Sequence, residues 1–142
     1  MIRAYVDSNV FFYAKIFDKK YGEACARILE DIVNGKIKAV TSTLTILEVA
    51  NALRKYGLSS EVKNEVDALC SLGMVLVQVD ERIVREAGRV FQALGGSPYD
   101  CTHIATMRKI GITKILSADK GFDEVSGIHR IDPLRYSRKG YE

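Results

Sequence analysis

The stretch Ile2-Arg3-Ala4-Tyr5-Val6-Asp7-Ser8-Asn9 decides how the rest of the chain reads. Its apolar run is too short for a helix and stops at once in a polar turn, the pattern of a short buried strand. Asp7 therefore lies at the carboxyl end of that strand, where a carboxylate stays ionised only if it is paired, hydrogen-bonded or metal-bound. Working outward, Ala24, Ile28, Leu29, Ile32 and Val33 recur at helical spacing over residues 20–33, and Gly35 supplies the stop. A second short strand is expected over residues 37–40. Ser42 or Thr43 caps a helix that Gly57 ends, and Ser59 or Ser60 caps a return helix that Gly73 ends, which makes a helical hairpin over residues 43–72.

Residues 74–79 form a near-continuous apolar run, the pattern of a strand buried on both faces. Asp80 then caps a helix carrying Ile83, Val84, Ala87, Val90, Phe91 and Leu94, broken by Gly95-Gly96. Ser97-Pro98 opens the next helix, with proline at the first helical position where its missing N–H costs least, and Gly111 closes it. Strands are expected over residues 112–117 and 128–131, with a turn between them at 119–123. Pro133 closes the ordered pattern, and a basic tail follows over residues 135–142. Strands alternating with helices predict an α/β protein, a three-layer α/β/α sandwich around a mostly parallel sheet, as one domain over residues 1–134.

Composition narrows the class of protein. With 47% hydrophobic and 27% charged residues and only 2 prolines, the chain has a core-forming balance that excludes a disordered segment. No apolar stretch approaches the roughly 20 residues of a membrane helix, and residues 1–4 carry no basic leader, so a soluble, cytoplasmic protein is expected. Cys25, Cys70 and Cys101 are odd in number, far apart and placed in helical segments. That argues against a disulfide framework or a zinc cluster, and all three are expected to be small buried hydrophobes. The net charge of +3 permits a polyanionic partner without selecting one.

The acids carry the chemistry. Ligands of parallel sheets gather beyond the carboxyl ends of the strands, and both Asp7 and Asp119 fall there, the latter just after Lys114-Ile115-Leu116-Ser117-Ala118. Glu48 is the one acid in Leu44-Thr45-Ile46-Leu47-Glu48-Val49-Ala50-Asn51-Ala52-Leu53, a helix apolar on nearly every side. Asp100 is the third residue after the serine that caps its helix, and His103 follows one turn on. Each acid alone has an ordinary account as a cap, a turn residue or a side chain reaching solvent. Together, two stand at strand ends and two early on helices that open at the same edge of the sheet, and independent caps need not converge. Carboxylates brought together repel one another unless a hard cation compensates, and an all-oxygen set suits Mg²⁺ or Mn²⁺ better than zinc. Two other schemes use clustered acids on a doubly wound sheet, an aspartate-nucleophile phosphohydrolase and a phosphoacceptor receiver-type module. The first usually has a second aspartate two residues after the nucleophile, where this chain has Asn9, and the second needs paired acids after the first strand.

The motifs resemble the PIN-domain family and, within it, the VapC-like ribonuclease toxins. The resemblance covers nearly the whole chain. Tyr5-Val6-Asp7-Ser8-Asn9-Val10-Phe11 is similar to the family's opening strand and first acid, and residues 44–53 to the helix bearing its glutamate. Tyr99-Asp100-Cys101-Thr102-His103-Ile104-Ala105-Thr106 is similar to the helix of its third acid, and Leu116-Ser117-Ala118-Asp119-Lys120-Gly121-Phe122 to its final motif. Many relatives carry a further acid where this chain has Gly121, which leaves Asp123 as the nearest substitute. The resemblance implies metal-dependent hydrolysis of RNA, with Asp7, Asp100 and Asp119 holding Mg²⁺ or Mn²⁺ and Glu48 as a ligand or the group that orients the attacking water. Ser8, Asn9, Ser42 and Asp123 are candidates to support those groups from behind. It also implies an antitoxin partner, docked on exposed parts of residues 43–72, and a homodimer. A PIN relative that binds RNA or protein without cutting is the remaining alternative.

Overall fold

The computed structural model describes residues 1–139. The chain opens with β1 (Ile2–Val6), which passes through Asp7 into α1 (Ser8–Lys15). Then come α2 (Gly22–Val33), β2 (Ile37–Ser42), α3 (Thr43–Lys55), a 3-10 turn (Ser59–Glu61), α4 (Val62–Cys70) and β3 (Val75–Val77). The second half runs α5 (Glu81–Leu94), α6 (Pro98–Ile110), β4 (Lys114–Leu116), a 3-10 turn (Lys120–Glu124), β5 (His129–Ile131) and α7 (Pro133–Lys139). The five strands form one parallel sheet in the order β3-β2-β1-β4-β5. The first strand thus lies at the centre, and its neighbours β2 and β4 come from the two halves of the chain. The strand order switches there, so a crevice opens beyond the carboxyl end of β1.

Side-chain alternation along the strands makes two cores. Ile2, Ala4 and Val6 of β1, with Ile37 and Ala39 of β2, pack against α1, α2, α3 and α7. Tyr5, Val40 and Ile115 point to the other face, against Ile83, Ala87 and Val90 of α5 and Ile104 and Met107 of α6. Helices cover both faces of the sheet, giving the expected three layers. The period of two also sends Tyr5 and Ser42 to the same side, which matters at the site. Ser42, Asp80 and Ser97 cap α3, α5 and α6 through side-chain bonds to backbone N–H groups, and Gly111 closes α6 in the left-handed conformation at φ 72°.

Three expectations are corrected. The run 74–79 is not a strand buried on both faces, because β3 is a three-residue edge strand paired only with β2, and Val75 is exposed. Cys25 and Cys101 are buried, but Cys70 is exposed at the end of α4, and all three thiols are free. The supposed basic tail is helical as far as Lys139. Asp132 accepts from the backbone N–H of Leu134 and Pro133 takes the first helical position, so the proline opens a helix instead of closing the fold. Tyr136 is buried and its hydroxyl donates to Asp31 of α2, while residues 140–142 lie outside the described residues. No helix among the described residues is long and apolar enough to cross a membrane.

Candidate metal centre

The site is assembled at the carboxyl edge of the central strands. Asp7 is the residue between β1 and α1, and as the helix cap it accepts from the Ser8 backbone N–H at 2.8 Å through Oδ1. Its Oδ2 accepts from the Ser117 hydroxyl at 2.6 Å and from the Asn9 side-chain amide at 3.1 Å. Asn9 also donates to Ser117 and accepts from the Ala118 N–H, and Ser117 Oγ accepts from the Asp119 N–H at 2.9 Å. The ends of β1 and β4 are therefore laced together, and Asp119 is held beside Asp7. Asp119 itself caps the following 3-10 turn through Oδ1, which accepts from Gly121 N–H.

Glu48 reaches the same edge from the second turn of α3. Its Oε1 lies 2.6 Å from Nε2 of His103 on α6. His103 is completely buried, and its Nδ1 lies 2.6 Å from the hydroxyl of Tyr5, which in turn donates to Ser42 Oγ at 2.9 Å. Both ring nitrogens of His103 are thus engaged, one by the Glu48 carboxylate and one by the Tyr5 hydroxyl. Burial disfavours a charged ring, but the Glu48 hydrogen bond and the nearby charges of Asp7, Glu48 and Asp100 outweigh it and hold His103 above its ordinary value. Burial likewise pushes the Tyr5 hydroxyl up to about 12, so it stays protonated.

Asp100 enters from the first turn of α6, one helical turn before His103. It is half-buried, and its carboxylate takes no hydrogen bond from any side chain or backbone group among the described residues. Burial, then the charges of Asp119 and Asp7, raise it from 3.8 to about 6, with His103 offsetting part and Glu48 adding to the rise. Asp7 is 5% exposed, and burial raises it too, against the pull of His103, Ser117 and the Ser8 N–H. Neighbouring carboxylate charges thus raise one another at this edge, and a divalent cation bound there would offset that repulsion.

Ligand atoms of Asp7, Glu48 and His103 lie within 4.8 Å of one another. The imidazole nitrogens of that trio are already bonded to Glu48 and Tyr5, so His103 serves the carboxylates and is not a free donor to a metal. Asp100 and Asp119 stand outside that trio, and the charges of Asp119, Asp7 and Glu48 all act on Asp100. Ser8 contributes only its backbone N–H, Asn9 bridges two strands, and Ser42 acts at one remove through Tyr5. Asp123 stands apart: both of its oxygens accept from the Arg130 guanidinium, at 2.8 and 3.1 Å, and that pairing holds it below the usual carboxylate range. Tyr5, Ser117 and Arg130, whose Nη1 donates to the Ser117 carbonyl, were not legible as parts of the site, and His103 was legible only as the neighbour of Asp100 on its helix. A hydroxyl among the inward-facing apolar residues of this strand was the available signal for Tyr5, because a buried phenol needs a partner.

Known proteins resemble this chain in sequence and in fold. Ribonuclease VapC13 of Mycobacterium tuberculosis is 28% identical over 131 residues, which cover 89% of this chain and 97% of that protein. The crystal structure of Mycobacterium tuberculosis VapC20, described as a sarcin-ricin loop cleaving toxin, matches with a TM-score of 0.71 at 16% identity over 90% of this chain and 98% of that one. The DNA-bound VapBC structure from Salmonella typhimurium matches with a TM-score of 0.70 at 16% identity over 94% and 99% of the two chains. These two structures share the fold. The PIN domain family model matches residues 4–128, the span that contains all four acids, and the chain belongs to the PIN domain family.

Proposed function

We propose that this chain is an endoribonuclease that hydrolyses RNA phosphodiester bonds at a Mg²⁺- or Mn²⁺-dependent carboxylate centre, and that it is the toxin of a toxin-antitoxin pair acting in the cytoplasm. The observation that carries the reading is the strand-end cluster in which ligand atoms of Asp7, Glu48 and His103 lie within 4.8 Å of one another, with Asp100 raised to about 6 by burial and by the charges of Asp119 and Asp7. Asp7, Asp100 and Asp119 would hold the cation. When bound, a divalent cation offsets the phosphate charge and makes water acidic enough to deprotonate near neutral pH.

The chain's own residues do the rest. Ser117, Asn9 and the Ser8 N–H fix Asp7 by three bonds, so its carboxylate needs no reordering when substrate arrives. His103 occupies Oε1 of Glu48 and leaves Oε2 to accept a hydrogen bond or proton from the attacking water. No side-chain nucleophile is required. The phosphohydrolase and receiver schemes are disfavoured because position 9 is an asparagine engaged with Asp7, Ser117 and Ala118.

For the partner, α3 and α4 present a groove of about 430 Å³ bordered by Leu47, Ala50, Arg54 and Val62, and Leu47 is exposed. An apolar strip with a basic rim suits an amphipathic antitoxin helix, and a homodimer belongs to the same reading. The function is tested by incubating wild type and Asp7→Asn with labelled single-stranded RNA in Mg²⁺, Mn²⁺ or chelator. Cleavage by wild type with metal alone, and none by the variant, is the expected result. Equal cleavage by both would remove Asp7 from the chemistry.

A further inference from the structure

Arg130 of β5 carries a long cationic side chain that is only 9% exposed, and a guanidinium taken out of water must find acceptors for its donors. Its Nε and Nη2 donate to the two oxygens of Asp123 at 2.8 and 3.1 Å, a bidentate pairing that fixes direction as well as distance. Its Nη1 donates to the backbone carbonyl of Ser117 at 2.9 Å and to Asp132 at 3.2 Å. A side chain so enclosed and so engaged is a poor contact for an RNA phosphate, the ordinary task of an arginine beside a nuclease centre.

Two of its partners stand one step from the acids. Ser117 Oγ donates to Asp7 Oδ2 and accepts from the Asp119 N–H, so the backbone that Arg130 holds at residue 117 carries the hydroxyl that joins Asp7 to Asp119. Asp123 lies in the 3-10 turn Lys120–Glu124, which Asp119 caps by accepting from the Gly121 N–H at 2.9 Å. The backbone bonds of that turn are long, 3.4 Å from Phe122 N–H to the Asp119 carbonyl and 3.3 Å from Val125 N–H to the Phe122 carbonyl. Such bonds hold a single turn weakly. Arg130 grips the chain on both sides of Asp119, at 117 and at 123, and supplies what the turn lacks.

Building on the carboxylate-centre reading, we infer that Arg130 and Asp123 form a positioning pair that aims the Asp119 carboxylate at the cation without either of them touching it. Asp123 acts through Arg130 and is not itself a ligand. A lysine at position 130 would not serve, because one ammonium cannot span both oxygens of Asp123 and the Ser117 carbonyl.

The test measures Mn²⁺ affinity by calorimetry on the full-length protein without RNA, for wild type, Asp123→Asn, Arg130→Gln and the double variant. Solvent exchange of the Gly121 amide and the denaturation midpoint are followed in the same samples. Charge alone predicts opposite signs, since losing a nearby positive charge tightens cation binding and losing a negative one weakens it. Positioning predicts one sign: each single variant is expected to bind Mn²⁺ about tenfold more weakly, and the double variant no more weakly than either, because both break one linkage. Gly121 exchange is expected to quicken severalfold in Arg130→Gln, whose substitution lies nine residues away in sequence. Should that variant not fold, Arg130→Lys takes its place with the same expectation. A lowered midpoint with Mn²⁺ affinity and Gly121 exchange unchanged would reduce the pair to an architectural ion pair and overturn the inference. So would opposite signs in the two single variants, or losses that multiply in the double variant, which would make Asp123 an independent ligand. Wild type that binds no Mn²⁺ would sink the metal reading along with the inference, whereas wild-type binding that both substitutions leave intact would sink the inference alone.

Discussion

Glu48 owes its position to a histidine 55 residues away in sequence. The chain Ser42, Tyr5, His103, Glu48 crosses β2, β1, α6 and α3, and each link is a bond of 2.6 to 2.9 Å. His103→Leu should therefore lower the cleavage rate about 10- to 100-fold, while His103→Gln, whose amide can still donate to Glu48, should recover much of that loss. Equal rates in the two variants, measured by single-turnover cleavage, would show that the ring merely fills space. Asp100 gives a pH prediction for the metal-free protein. Its folded value of about 6 lies above the ordinary 3.8, so folding takes up a proton between those values and the ionised group opposes folding above about pH 6. The penalty fades as pH falls toward 4. Asp100→Asn should thus raise metal-free stability at pH 7.5 by on the order of 1 kcal/mol once screening of this half-exposed group is allowed for, and by almost nothing at pH 4.5. Denaturant midpoints at the two pH values check it. The acids at 7, 100 and 119 were legible because each follows a strand end or a cap, where local rules place it. The clamp on Glu48 was not, because no local spacing relates residue 48 to residue 103.

At the scale of elements, the strand–turn–helix pieces were readable wherever a polar cap met an apolar period, as at Asp7, Ser42, Asp80 and Ser97. Two elements were misread for physical reasons. Apolarity does not tell an edge strand from a central one, and β3 has β2 as its sole sheet neighbour. Asp132-Pro133 carries both signals of a helix start, a capping acid and a proline at the first position, yet proline was taken as an end. The resulting α7 packs on α2 through Tyr136, 2% exposed, whose hydroxyl donates to Asp31 at 2.5 Å. Tyr136→Ala should cost about 3 kcal/mol of unfolding free energy, and Tyr136→Phe about 1 kcal/mol. A denaturation midpoint unchanged in the alanine variant would mean that this helix does not contribute to the fold.

For the whole molecule, the sheet order β3-β2-β1-β4-β5 puts the first strand in the middle and brings acids from both halves of the sequence to one crevice. Strand order is a property of crossovers and not of any single segment, so the sequence could indicate the edge where ligands gather without specifying which strands meet there. The PIN domain match over residues 4–128 spans both halves. The central claim is that this crevice is a metal-dependent nuclease centre. The most direct test follows RNA cleavage rate and Mn²⁺ occupancy in the same samples as Mn²⁺ is raised, for wild type and Asp7→Asn. The account predicts that the rate rises with occupancy in wild type and returns to background in chelator, while the variant, folded by circular dichroism, cuts at least about 100-fold more slowly. Cleavage that persists in chelator or in the variant, or full Mn²⁺ occupancy without cleavage of any RNA tried, would contradict it.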